Sequence, residues 1–141
     1  MASLLDVNIL VALMHARHPH SARVIHWLGR QETPGALVCC RVAQMGALGI
    51  LTRPAAMGED VLSAAQFWRG WGQLMHDERF VHVDEPKNLE TTWRNLTLPF
   101  EKGRCAETDT YFAAMALAGG WTLVTIDQGM KRFGGVRVTV L

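Results

Sequence analysis

Ser3-Leu4-Leu5-Asp6-Val7-Asn8-Ile9-Leu10 places one carboxylate, and two residues later one amide, inside an otherwise apolar run. A charge buried there after losing its partner costs about 3–5 kcal/mol. The arrangement that avoids this cost puts Asp6 at the carboxyl end of a buried strand, facing the crevice where open α/β sheets hold their ligands. The stretch Ala2–Val7 therefore reads as a strand that runs directly into a helix over about Asn8–Ala16.

The same pattern of apolar run, then helix, recurs along the chain. Pro19 suits the first turn of a second helix ending near Leu28, with Gly29 just beyond it and Ala22, Ile25 and Leu28 as its buried stripe. Gly35–Cys40 is a short continuous apolar run, as expected of a strand covered on both faces, and Arg41–Leu51 reads as the helix after it. Gly46 and Gly49 within that helix each cost about 1 kcal/mol relative to alanine, which points to close backbone approach, to the sheet or to another chain. Pro54–Glu59 reads as a loop. Asp60–Leu74 reads as an amphipathic helix carrying Val61, Ala64, Ala65, Trp68 and Trp71 on one face. Phe80–Val83 is a third strand, and Asp84 a plausible cap for a helix that Pro86 begins.

In the last third, Ala106–Ala118 is a helix rich in alanine that Gly119-Gly120 closes. Trp121–Ile126 is a strand with Asp127 at its carboxyl end, and Val136–Val140 a final one. Strands alternating with helices predict a parallel α/β sheet with helices on both faces, residues 1–141 forming one domain. At 141 residues the chain is long enough to bury a sizeable core. Its 49% hydrophobic and 19% charged content argues against general disorder. A net charge of +1 means that any polyanion must be met by a local patch.

The three cysteines, Cys39, Cys40 and Cys105, form neither a zinc spacing nor an even disulfide framework, so reduced thiols and a cytoplasmic location are expected. The N-terminus has no signal-peptide pattern, and no apolar run is long enough to span a membrane. His15, His18, His20 and His26 are expected to be solvated or packed rather than metal ligands.

Asp6 and Asp127 thus end two strands, and Asp109 lies in the first turn of the alanine-rich helix. Two carboxylates 4 Å apart repel by roughly 4 kcal/mol at an effective dielectric of 20, a cost relieved by protonation or by a cation. Hard oxygen donors without thiolate or imidazole match Mg²⁺ or Mn²⁺. Such an ion polarises phosphoryl oxygens and activates water, so metal-assisted phosphodiester hydrolysis is the reaction class expected.

Leu4-Leu5-Asp6-Val7-Asn8, Thr108-Asp109-Thr110-Tyr111-Phe112-Ala113-Ala114-Met115-Ala116 and Thr125-Ile126-Asp127 together resemble the PIN domain, specifically VapC-type toxin ribonucleases. The resemblance runs almost the full length of the chain. It implies an α/β/α sandwich around a five-stranded parallel sheet and an acidic Mg²⁺ site. It also implies cleavage of single-stranded RNA to a 5′-phosphate and a 3′-hydroxyl, homodimerisation, and neutralisation by a small antitoxin. On this chain the metal ligands implied are Asp6, Asp109 and Asp127, with Asn8 orienting Asp6.

Two positions depart from that pattern. Gln44 stands where the family usually has a glutamate, and Gly49 where an arginine is common. Glutamine keeps a carbonyl oxygen for the site but removes a charge, so at most one tightly held metal is expected. Glu107 can replace that charge only from the loop before the helix, because two positions along a helix are about 200° apart. Arg41, Arg53, Lys102, Arg104, Lys131 and Arg132 are candidate contacts for an RNA backbone. Two further readings stand beside a Mg²⁺-dependent endoribonuclease. One is a PIN-fold module that Gln44 leaves catalytically weak and that acts mainly through a partner. The other is a phosphotransferase using Asp6 as nucleophile, disfavoured because Asn8 and Leu10 occupy positions where that chemistry wants Asp and Thr.

Overall fold

Leu4, Leu5, Leu37, Val38, Cys39, Leu123 and Val124 are all buried, and they mark the three central strands of the sheet. The computed structural model describes all of residues 1–141. Five strands, β1 (Ser3–Leu5), β2 (Leu37–Cys39), β3 (Phe80–His82), β4 (Thr122–Thr125) and β5 (Val138–Val140), form one parallel sheet in the order β3-β2-β1-β4-β5. The central strands read as continuous apolar runs because both their faces are covered. At the β5 edge burial alternates, with Thr139 exposed between half-buried valines.

The strand order decides where a site can form. The chain steps from β1 through β2 to β3, then crosses back to place β4 on the other side of β1 and β5 beyond it. β1 and β4 therefore flank the point where the winding reverses, and the crevice beyond their carboxyl ends is where such sheets take ligands. Right-handed crossovers put the helices of the two halves on opposite faces. Accordingly α1 (Val7–Met14) packs on α2 (Ser21–Leu28) and α3 (Arg41–Leu51), whereas α6 (Leu89–Thr97) packs on α7 (Glu107–Gly119). α7 is buried from Thr110 through Ala116, and its alanines keep it close to the sheet. Trp93 of α6 donates its indole N–H to the Thr110 hydroxyl at 3.0 Å, fixing the pair of helices.

Several sequence expectations shift. The second helix begins at Ser21, not Pro19, and buries Ser21, Val24 and Trp27, leaving Ala22 and Ile25 exposed. The buried stripe is the set one residue earlier than expected, a face about 100° around the helix. The expected loop Pro54–Glu59 is α4 (Pro54–Met57) followed by a 3₁₀ turn (Gly58–Asp60). The amphipathic helix starts later than expected, as α5 (Ala64–His76). Ser63 accepts from the Gln66 backbone while the Gln66 side chain accepts from the Ser63 N–H, a reciprocal cap that fixes the start. Its buried residues are Phe67 and Trp71, and Trp68 is half exposed. Asp84 does not cap the next helix; Asn88 precedes α6.

Gly46 is indeed closely approached, but by a neighbouring helix rather than by the sheet or another chain. A Cβ there would lie 2.8 and 2.9 Å from the two γ-methyls of Val7, so α3 crosses α1 with no room for a methyl. We expect Gly46→Ala to lower stability by about 0–2 kcal/mol, overpacking of about 1–3 kcal/mol being partly offset by about 1 kcal/mol of helix propensity. In a Val7→Ala background the same change should become neutral or stabilising. Urea denaturation of the four variants checks this.

Candidate metal site

Asp6 follows β1 immediately and caps α1, its Oδ1 accepting from the Val7 N–H at 2.7 Å. The Thr125 hydroxyl, at the end of β4, donates to Asp6 Oδ2 at 2.7 Å. Asn8 completes the link between the strands. Its Oδ1 accepts from the Ile126 N–H at 3.1 Å, and its Nδ2 donates to Thr125 Oγ1 at 3.1 Å and to Asp6 Oδ2 at 3.4 Å. Thr125 Oγ1 also accepts from the Asp127 N–H at 3.0 Å. Thr125 itself is fully buried. One hydroxyl and one amide thus hold the Asp6 carboxylate in register with the segment that carries Asp127.

Thr125 has the site position that the sequence reading left without a role. The signal was present: a hydroxyl two residues before the strand-end aspartate, at the end of β4.

Asp109 arrives from the opposite half. Ala106, just before α7, is the chain's only non-glycine residue in the left-handed region, at φ 50°. Strain of this kind costs on the order of 1–3 kcal/mol, and it sets the direction in which α7 leaves the loop. The Thr110 N–H and hydroxyl both donate to the Ala106 carbonyl, at 2.8 and 2.9 Å, and pin that turn. Asp109 then lies in the first helical turn, where the helix dipole favours a negative charge.

Asp6, Asn8, Asp109 and Asp127 line a single open groove of about 560 Å³, together with Val7, Thr108, His18 and the α3 residues Met45, Gly46, Gly49 and Ile50, and with Arg53 beyond them. Burial is the main cause holding the Asp6 carboxyl above the usual carboxylate range, and the charges of Asp109 and Asp127 push it further in that direction. The Thr125 and Val7 hydrogen bonds offset part of the rise.

The three carboxylates share the groove without closing around one point. Asp127 Oδ1 accepts from the Gly129 N–H at 2.8 Å. Asp109 Oδ2 takes a hydrogen bond from Arg132 at 2.9 Å, and Arg132 is anchored by the Gly129 carbonyl at 2.7 Å and lies 4.4 Å from the Phe133 ring centre. A guanidinium thus stands at one of the three carboxylates as a cation would. The pair is about 40% exposed, so it holds Asp109 by only about 0–1 kcal/mol. Hard oxygens, mutual repulsion at Asp6 and an exchangeable cation at Asp109 fit a divalent ion of the Mg²⁺ or Mn²⁺ type.

Gln44 is not brought to this groove. It is buried, and its side-chain oxygen accepts from Arg41, three residues earlier on the same face of α3. Glu107 does not replace the missing charge either. It is inside α7, exposed and 3.5 Å from Arg104. The histidines form a row, with ring centres of His15 and His18 6.1 Å apart and of His18 and His20 5.7 Å apart. The sequence reading did not place His18 on the groove wall; the loop between α1 and α2 carries it there. Burial and the neighbouring His20 and His15 hold its pKa below the usual imidazole value. Cys39 and Cys40 are buried free thiols, Cys39 pushed up to about 12 by burial.

The PIN-domain family model matches residues 3–136. Ribonuclease VapC41 of Mycobacterium tuberculosis is 32% identical over 142 aligned residues, which span 98% of this chain and 97% of that protein. Ribonuclease VapC29 of the same organism is 28% identical, over 96% of this chain and 92% of that one. Among solved structures, VapBC-1 from nontypeable Haemophilus influenzae has a TM-score of 0.73 at 17% identity, covering 99% of this chain and 98% of its own. VapC20 of M. tuberculosis, a toxin that cleaves the sarcin–ricin loop, has a TM-score of 0.66 at 15% identity, covering 97% and 98%. These structures share the fold, and the sequence matches extend over all three aspartates, two at strand ends and Asp109 in the first turn of α7. The chain belongs to the PIN-domain family, in its VapC group.

Proposed function

We propose that this protein is a metal-dependent endoribonuclease that hydrolyses single-stranded RNA and is held inactive by a small antitoxin. The observation that carries the reading is the groove at the β1–β4 reversal, which Asp6, Asp109 and Asp127 all line. Ribonuclease names among the VapC relatives support the substrate class, and neighbours solved as VapBC pairs support the antitoxin.

Asp6, Asp109 and Asp127 would hold the ion, Mg²⁺ or Mn²⁺. When bound, the ion lowers the pKa of a coordinated water and neutralises charge developing on the phosphoryl oxygens. The chain's own part is positioning. Thr125 and Asn8 fix the Asp6 carboxylate against rotation, so that little reorganisation is needed at the moment of reaction. Asp109, which accepts from Arg132, would be one of the groups that hold the ion. Water adds to phosphorus as the bond to O3′ breaks, leaving a 5′-phosphate and a 3′-hydroxyl. The protein acts in the cytoplasm as a homodimer, and no helix is long and apolar enough to cross a membrane. A small reading frame immediately upstream of the gene is the expected source of the antitoxin.

Asp6→Asn tests the reading twice. Mg²⁺-dependent cleavage of single-stranded RNA should be lost with it; cleavage that survives both this change and EDTA would overturn the mechanism. Without metal the same variant should be the more stable protein at neutral pH. A carboxyl whose pKa is raised on folding contributes stability that is complete below its unfolded value, near 3.8, and lost as pH rises through the folded value. Asparagine has no such loss. Its thermal advantage in EDTA should therefore shrink as pH falls toward that unfolded value.

The weak-module reading draws on Gln44, which brings no charge to the groove and is engaged by Arg41. If three aspartates suffice, Gln44→Glu will change the cleavage rate by less than about tenfold, about 1.4 kcal/mol of barrier. A much larger gain would mean that the natural chain is impaired and works mainly through its partner.

A further inference from the structure

Arg53 is the one lysine or arginine on the wall of the acidic groove. The other candidate cations are engaged or lie off that wall. Arg41 donates to Gln44, Arg104 faces Glu107, and Arg132 holds Asp109 from outside the lining. Arg53 belongs to none of the ion pairs in the structure. It lines the same groove as three carboxylates without an ion pair to any of them.

Local sequence explains how it comes to be there. α3 ends at Leu51, and the Thr52 hydroxyl closes it by donating to the Leu48 carbonyl at 2.7 Å. Pro54 then excludes helical backbone at the residue before it, and Arg53 is extended, at φ −99° and ψ 115°. From this break the side chain runs back along α3. Its terminal nitrogen lies 3.9 Å from the place a Cβ on Gly49 would take. Gly49 has no side chain to fill that face of the groove, and the guanidinium from the following turn lies over it.

We propose that Arg53 is the phosphate-contacting residue of the groove, holding an RNA backbone phosphate across from the aspartates, with Gly49 leaving the space in which it lies. The inference rests on the ribonuclease reading and names the residue that receives the substrate. A guanidinium suits this task because its planar fork donates two parallel hydrogen bonds to a phosphate. With no carboxylate partner to give up, it contributes its charge to RNA without first breaking an ion pair. The aspartates alone repel a polyanion, so a cation on the facing wall supplies the attraction that lets the backbone enter.

The test uses full-length protein carrying Asp6→Asn to stop cleavage, with Mg²⁺ present, and a fluorescein-labelled single-stranded oligoribonucleotide read by anisotropy over a salt series. Arg53→Ala should weaken binding on the order of tenfold, the loss of one charge-assisted contact. The slope of log affinity against log salt should become shallower by about 0.7, the value for one phosphate on a single strand. Arg53→Lys should keep the slope. Gly49→Arg combined with Arg53→Ala should restore it by returning a guanidinium to the same face. Arg23→Ala, whose side chain reaches the Leu141 carbonyl, should leave the slope unchanged. If Arg53→Ala binds with unaltered affinity and slope while the Asp6-intact protein still cleaves RNA, the assignment of Arg53 is overturned and the ribonuclease reading stands. If the Asp6-intact protein neither binds nor cleaves RNA, both are overturned.

Discussion

A carboxylate held at the end of the central strand is the constraint around which this structure is arranged. Asp6 must be close enough to the core to be rigid and close enough to the crevice to be used. The Thr125 hydroxyl and the Asn8 amide reconcile these demands by linking β1 to β4 across its oxygen. A hydroxyl carries one proton, and Thr125 gives it to Asp6 while accepting from the Asp127 backbone and the Asn8 amide. The direction of each bond is thereby fixed. Strand pairing and the orientation of the Asp6 carboxylate become parts of one network, in which each bond constrains the others.

The rest of the fold serves that junction from both faces. On one side, Gly46 lets α3 cross α1 against Val7, the residue right after Asp6. On the other, the alanines of α7 bring its first turn down to the sheet, and the strained Ala106 aims it. Asp109 is thus delivered by packing and Asp127 by strand pairing. This division explains why carboxylates more than 100 residues apart in sequence can line one groove. The core supplies the energy for holding like charges near one another, and Asp6, the most buried of them, carries the largest part of the cost.

How legible this was from the amino-acid sequence depended on whether the deciding interaction was local. Asp6, Asn8 and Asp127 were readable because a polar residue interrupting or ending an apolar run has few places to go. Asp109 was readable only in part, since an acid in a first helical turn is also an ordinary consequence of the dipole. The parallel sheet followed from the alternation of runs. Its strand order depends on which strands pair, a matter of tertiary packing. The stripe of α2 was misread by one residue, about 100° around the helix, because which face meets the core is settled by tertiary packing. Gln44 was misread because its partner, Arg41, looked like a surface cation free to meet RNA. Thr125 was passed over because β-branched residues are common in strands and its hydroxyl acquires meaning only when Asp6 lies beside it.

The placement of cations around the groove divides two electrostatic tasks between two arginines. Arg132 and Arg53 stand against the three carboxylates from different elements and in different states. Arg132 is committed, pairing with Asp109 and anchored behind by the Gly129 carbonyl and the Phe133 ring. Its pair is exposed and therefore weak, as surface ion pairs are. Arg53 is uncommitted because Pro54 breaks the helix beneath it and Gly49 offers no side chain to contest the space. One guanidinium lowers the repulsion among the groove's carboxylates, and the other leaves a positive charge on the groove wall that a phosphate can meet. A single arginine could not do both, since pairing with Asp109 removes the charge that a phosphate would feel.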